Sequence, residues 1–202
     1  MSKLILASAS PRRQQLLAQL GLCFATMPAD IEERQQPGEA PTAYVIRMAQ
    51  TKAQHLAQQF PDALVLGADT IVTIDARILG KPQSATEARQ MLRCLSGRQH
   101  TVVTGLALLQ HSKGCTRLDT VSTDVLFRPL AEADIDHYIA TDEPFDKAGA
   151  YAIQGRGGAF VAAFEGCYTN VVGLPLQRTA ALLRSAGLVV PTVPEHSGKN
   201  AS

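Results

Sequence analysis

The stretch Leu64-Val-Leu-Gly-Ala-Asp-Thr-Ile-Val72 constrains this chain more than any other. It is nearly all apolar, as in the central strand of a sheet covered on both faces. Asp69 stands inside it. An unpaired charge is expensive to bury, so a carboxylate at this position has either a partner or a task. It is either a satisfied structural hydrogen-bond acceptor or a group that holds a divalent cation or activates water. Gly67, two residues earlier, would let the backbone bend or admit a ligand.

The rest of the chain arranges itself around that run. Residues 4–7 read as a short buried strand. Ser10 then reads as an N-cap with Pro11 at the first helical position. Leu16, Leu17 and Leu20 give this helix one apolar side, and Gly21 stops it. Residues 22–27 form a second candidate strand, 31–40 a polar loop, and 41–58 a helix. The central run extends over 63–74 and turns at Asp75-Ala76-Arg77 into residues 78–79. Ser84-Ala-Thr-Glu87 is a capping box that opens a helix to about Leu95. Residues 101–109 and 118–127 read as paired strands around a Ser/Lys/Gly turn. A short helix over 131–140, a long glycine-bearing loop over 141–158, a strand over 159–164 and a helix over 174–186 follow. Strands and helices alternate first, and then a hairpin interrupts them. The expected fold class is α/β, a mixed twisted sheet with flanking helices. Residues 1–187 are expected to form a single domain, and 188–202 a flexible C-terminal tail.

Composition narrows the function classes. The 202 residues are 46% hydrophobic, enough for a substantial core. Formal net charge is +1, so no global basic field supports non-specific binding to nucleic acid. Any affinity for polyanions must come from a local cluster of cations. The first apolar run is short for a signal peptide, and its arginines follow it rather than precede it. No stretch approaches the roughly 18 apolar residues of a membrane span. Cys23, Cys94, Cys115 and Cys167 stand far apart with no C-x-x-C pair. A zinc site or disulfide framework is not expected, and reduced thiols point to the cytoplasm.

Further polar residues break their local pattern. Ser8-Ala-Ser10-Pro11-Arg12-Arg13 runs from a strand through a tight serine-rich loop into a helix. Two arginines in the first turn oppose the helix dipole. They are either solvated, or they serve an anion bound at the helix N-terminus together with the loop. No G-x-x-x-x-G-K-[ST] occurs, so this is not an ordinary P-loop. Lys52 lies on one line with Met48 and Leu56, at i, i+4 and i+8, and faces inward with the apolar stripe. It either snorkels to the surface or meets a phosphate. Glu32 and Glu33 sit in the polar loop and gain weight only as second ligands to a hard metal shared with Asp69. Lys81 lies near a strand-to-helix crossover. The glycine-rich stretch after Asp146 is either an irregular loop or a mobile wall carrying Lys147, Gln154 and Arg156 toward a ligand.

Together these segments resemble the Maf family, also called septum-formation inhibitor-like proteins. The matching stretches are ASASPRRQQLL (7–17), RMAQTKA (47–53), LGADTI (66–71), GKP (80–82), MLRCLSG (91–97), DKAGAYAIQGRGG (146–158) and NVVGLPL (170–176). They come in the family's order, from about residue 3 to 186. The resemblance implies a fold similar to inosine triphosphate pyrophosphatase, with a cleft between two lobes, and a metal-dependent nucleoside triphosphate diphosphatase activity. The S-P-R-R form, the threonine after G-A-D and the glutamine of I-Q-G look like the subfamily acting on dTTP and UTP. By that resemblance Arg12, Thr70 and Gln154 fall on specificity positions and Asp69 on the general base. Arg13, Glu33, Lys52 and Lys81 fall on other polar site positions, and Ser8 joins the substrate-binding loop. Glu33 and Asp69 would hold a divalent cation, Mg²⁺ or Mn²⁺. Family members are often homodimers.

The expected partner is a nucleoside triphosphate, with neither stable nucleic acid nor membrane. The rival class is a nucleotide-binding regulator of septum formation with little catalysis. A carboxylate in the middle of the site favours an enzyme, because it repels phosphate unless a metal is present.

Overall fold

The computed structural model describes residues 3–191. Its first half is a doubly wound unit. Strand β1 (Leu4–Ala7) leads into helix α1 (Pro11–Ala18), strand β2 (Phe24–Met27), helix α2 (Pro41–Gln59) and strand β3 (Leu64–Ile74). Both β2 and β3 pair with β1 in parallel, so the spatial order is β2-β1-β3. Helix α1 packs Leu16 and Leu17 against Leu4, Leu6 and Leu66 on one face of the sheet. Helix α2 packs Ala49, Ala53 and Leu56 against Ile5, Ala7 and Val65 on the other. The chain therefore switches faces between β1 and β3. Such a switch point leaves a crevice beyond the carboxyl ends of the strands.

The second half adds antiparallel strands. Strand β4 (Arg77–Leu79) folds back on β3, and helix α3 (Ala85–Leu95) follows. Long strands β5 (Gln99–Gln110) and β6 (Cys115–Phe127) form a hairpin, with β5 alongside β3. Helix α4 (Glu132–Ile139), strand β7 (Val161–Glu165), helix α5 (Tyr168–Val172) and helix α6 (Leu176–Ser185) complete the chain. The result is one mixed seven-stranded sheet in the order β2-β1-β3-β5-β6-β7, with β4 on β3. Leu92, Leu95, Phe127, Ile135, Tyr138 and Phe160 gather into a second core around α3 and α4. Packing on the two sheet faces around β1 makes one lobe, and this second core makes the other.

Several local expectations change. Gly67 does not bend its strand, because pairing with β5 runs unbroken from Val65 to Thr73. It makes room for α2: a Cβ there would stand 2.1 Å from the Ala49 carbonyl oxygen. The box at α3 is only half closed. Ser84 Oγ accepts from the Glu87 N–H at 3.2 Å, but Glu87 accepts from the Gln83 N–H instead of Ser84. The 141–158 segment holds three 3₁₀ turns, at Glu143–Asp146, Ala148–Ala150 and Arg156–Phe160. Residues 188–191, counted above with the tail, lie against the body: Val190 is buried, and Arg184 donates to the Val190 and Pro191 carbonyls. The remainder of the expected tail lies outside the described residues. Among the described residues no helix is long and apolar enough to cross a membrane.

Candidate active site

The sheet itself opens the site. Strand β1 pairs with β3 only as far as Ala7 opposite Gly67, and β4 joins the same edge at Val72. Between them, Ala68 to Ile71 has no strand partner on that side. A cleft of about 710 Å³ opens over this gap, between the two lobes. Asp69 and Thr70 are successive strand residues, so they leave the sheet on opposite faces. Both reach the cleft only because this edge is uncovered.

On the α2 face, Asp69 is 6% exposed and Lys52 7%. Lys52 Nζ donates to Asp69 Oδ1 at 2.6 Å and contacts Glu33 Oε1 at 2.7 Å. The inward heading of Lys52 is as its spacing implies, but it meets two carboxylates. The close approach of α2 over Gly67 is what brings the ammonium within reach. Asp69 Oδ2 has no hydrogen-bond partner among the described residues. Burial pushes the Glu33 carboxyl up, yet the Lys52 hydrogen bond and charge, with Lys81 and Arg13, hold it below the usual range. The Glu33 loop is clasped to α2. Arg47 donates to both Glu39 carboxylate oxygens at 2.6 Å and to the Arg34 carbonyl at 2.9 Å.

On the other face, the two arginines divide. Arg13 donates from Nε to the Gly173 carbonyl at 2.8 Å, from Nη2 to Thr70 Oγ1 at 2.9 Å and from Nη1 to Ser8 Oγ at 3.4 Å. Burial lowers its pKa, against the opposing charges of Asp69 and Glu33. It ties α1, β3 and the end of α5 together. Arg12 is freer: among the described residues its one ion pair is with Asp146, at 3.8 Å. Ser8 Oγ also accepts from the Ser10 N–H at 3.2 Å, which shapes the loop. The helix N-terminus thus presents one structural arginine and one available for an anion. Thr70 Oγ1 is shared among Arg13, Thr104 and the Gly173 carbonyl.

Across the cleft, Lys81, Lys147 and Gln154 line the opposite wall. Arg156 does not line it; its backbone N–H is turned to Glu143. Two aromatic lining residues escaped the sequence reading. Tyr44 is one, though it extends the Met48–Lys52–Leu56 line by one turn; burial first, then Asp69 and Glu33, lift its phenol to about 12. Tyr151 is the other, and its pattern gives no signal inside a glycine-rich stretch. Among the described residues no three His, Cys, Asp or Glu side chains gather as a metal cage. Asp69 and Glu33 supply two hard carboxylates side by side, each bound to Lys52 through one of its oxygens. That donor set fits Mg²⁺ or Mn²⁺, which take one or two carboxylates and complete their shell with phosphate oxygens and water.

The family model described as Maf-like protein matches residues 3–186. This chain belongs to the Maf family. A dTTP/UTP pyrophosphatase of Anaeromyxobacter dehalogenans (strain 2CP-1 / ATCC BAA-258) is 52% identical over 191 residues, covering 94% of this chain and 96% of that one. A protein of the same name from Escherichia coli (strain K12) is 50% identical over 201 residues, covering 98% and 100%. One from Syntrophus aciditrophicus (strain SB) is 47% identical over 194 residues, covering 96% and 95%. Among solved structures, a HAM1 protein from Coxiella burnetii aligns with a TM-score of 0.53 at 16% identity, covering 92% of this chain and 100% of that one. This last likeness shows the shared fold. Six of the seven Maf stretches contribute residues to the cleft or its struts. The seventh, 91–97, builds the second core with Leu92 and Leu95.

Proposed function

We propose that this Maf protein hydrolyses dTTP and UTP to the monophosphate and pyrophosphate. The observation that carries the reading is the Lys52–Asp69–Glu33 cluster at the uncovered sheet edge, in a cleft walled by further cations. The relatives named dTTP/UTP pyrophosphatase support it, because they match along nearly their whole length at 47% to 52% identity.

Arg12, Lys52 and Lys81 offset the charge of the triphosphate. Lys52 also fixes one oxygen of Asp69, which leaves Oδ2 to take the proton of a water molecule. That water attacks the α-phosphorus, the bond to the bridging oxygen breaks, and pyrophosphate leaves. A divalent cation held by Asp69 and Glu33 would neutralise phosphate charge and orient the chain. Most of the catalysis is then positioning and charge stabilisation. Gln154 offers an amide donor and acceptor that match the polar edge of a pyrimidine. We further propose a homodimer in the cytoplasm. The family resemblance supports the first, and the free thiols at Cys23, Cys94, Cys115 and Cys167 suit the second.

The test is incubation with dTTP, UTP, CTP and GTP plus Mg²⁺ or Mn²⁺, with the products separated. Monophosphate and pyrophosphate are expected, fastest from dTTP and UTP. Release of orthophosphate would place the attack on the γ-phosphorus and overturn the mechanism. Asp69→Asn should cut turnover by about a hundredfold to ten-thousandfold with the circular dichroism spectrum unchanged. Turnover near wild type would make Asp69 structural.

A further inference from the structure

Tyr138 and Glu143 stand behind the wall that carries Gln154, and neither lines the cleft. Tyr138 comes from α4, and its ring is buried edge-on against Phe160 at 4.9 Å between centroids. Its hydroxyl donates to Glu143 Oε1 at 2.9 Å and accepts from the Ala152 N–H at 3.2 Å. Glu143 in turn accepts from the Gly157 N–H at Oε1 and the Arg156 N–H at Oε2, both at 3.2 Å. The amides on either side of Gln154 therefore end on one hydrogen-bonded pair.

The glycines fit the same pair. Gly155 has φ +121°, and a Cβ there would stand 2.8 Å from Glu143 Oε1. A Cβ on Gly157 would stand 2.6 Å from the Tyr138 hydroxyl. These residues are glycines because a carboxylate and a phenol press against the backbone, so the segment is fitted rather than slack. Burial, with the adjacent carboxylate, raises the phenol's pKa, which keeps its proton available for donation.

We infer that Tyr138 and Glu143 are positioning residues that hold the 152–157 segment and thereby set which base the cleft accepts. This rests on the proposed reading of Gln154 as the residue that meets the base. Of the phosphate-binding groups, Arg12 and Lys52 lie across the cleft, and Lys81, on the same wall, follows β4 and lies outside this segment, so loosening it should alter base discrimination and leave the chemical step alone.

Tyr138→Phe keeps the ring and its packing and removes only the hydroxyl. It should raise KM for dTTP and UTP about fivefold to thirtyfold, the effect of one unmade buried hydrogen bond, with kcat within about twofold. The poor substrates CTP and GTP should change little, so selectivity falls by a similar factor. Glu143→Ala should give the same pattern. The double variant should be no worse than the poorer single one, because both act through one unit. A uniform loss across the four triphosphates, or a fall in kcat at constant KM, would overturn the inference. If Glu143→Ala does not fold, Tyr138→Phe alone decides. The wild-type panel in the same experiment tests the underlying reading separately. Should the wild type show no pyrimidine preference, amide hydrogen exchange at Arg156 and Gly157 still tests the positioning. Exchange at least tenfold faster in Tyr138→Phe supports it, and unchanged exchange refutes it.

Discussion

Lys52 is the residue on which the site turns. Its ammonium sits between Asp69 and Glu33, with Lys52 and Asp69 both buried. Two buried charges gain from each other mainly by offsetting desolvation, so such a pair is weak evidence of stability but is costly to break. Lys52→Met should destabilise the protein by about 3 to 5 kcal/mol, because Asp69 is left as an uncompensated buried charge. Adding Asp69→Asn should recover a large part of that loss, as urea unfolding would show. A single variant as stable as wild type would mean that solvent or a neighbour already compensates Asp69. The sequence shows each of these residues as a break in an apolar pattern, yet no pattern says that they meet. Glu33 breaks nothing, since acids are ordinary in polar loops, and only the family resemblance marks it. Arg12 and Arg13 look equivalent in sequence; tertiary contacts to Gly173 and Thr70 are what separate them.

At the scale of elements, long periodic segments were readable, and short ones with tertiary causes were not. The α2 stripe and the apolar β3 run fall within a residue of their expected ends. Helix α5 has five residues, too few for a helical period to register. The 141–158 glycines read as an irregular loop or a mobile wall, and the sequence does not show that contact with Val72, Glu143, Tyr138 and Ile153 requires them. The turn between β3 and β4 shows a mismatch between residue and geometry. Ile74 pairs with Arg77, so Asp75 and Ala76 form a two-residue hairpin, with φ of 51° and 59°. Both lie in the left-handed region that such turns demand, and there Asp-Gly is the favoured pair. Ala76 is exposed. Ala76→Gly should therefore stabilise the protein by about 0.5 to 1 kcal/mol, since it relieves a positive-φ side chain. Thermal melting checks this, and a lowered Tm would show that unfolded-state entropy outweighs the strain.

On the scale of the whole molecule, β3 and β5 run through both lobes, so the cleft is a gap in a continuous sheet rather than a hinge between separate bodies. Loss of the second core should then be felt throughout, and His100 gives a way to see it. His100 lies on β5, 2% exposed, with Nε2 at 2.8 Å from the hydroxyl of Tyr151 on the cleft wall. Its ring meets Phe127 edge-on at 4.9 Å. Burial lowers its pKa to about 4, against weaker upward pulls from a hydrogen bond with the Arg98 backbone and from the charge of Asp124. The folded protein therefore holds His100 neutral, while the unfolded chain protonates it below about pH 6.5. Between pH 6.5 and 4 the unfolded state binds more protons, so stability falls as pH falls through that window. From pH 7 to pH 5 the expected loss is about 2 kcal/mol. Carboxylates held low, such as Glu33 and Asp119, lose their contribution only as pH drops into the ordinary carboxylate range and below. The upper window therefore belongs to the imidazole. His100→Gln retains an amide that can meet the Tyr151 hydroxyl, and it does not titrate. Urea unfolding at pH 7 and pH 5 should show a clear drop in wild type and a much flatter response in His100→Gln, whatever their absolute stabilities. Equal slopes in the two proteins would mean that His100 binds its proton as readily in the folded protein as in the unfolded chain.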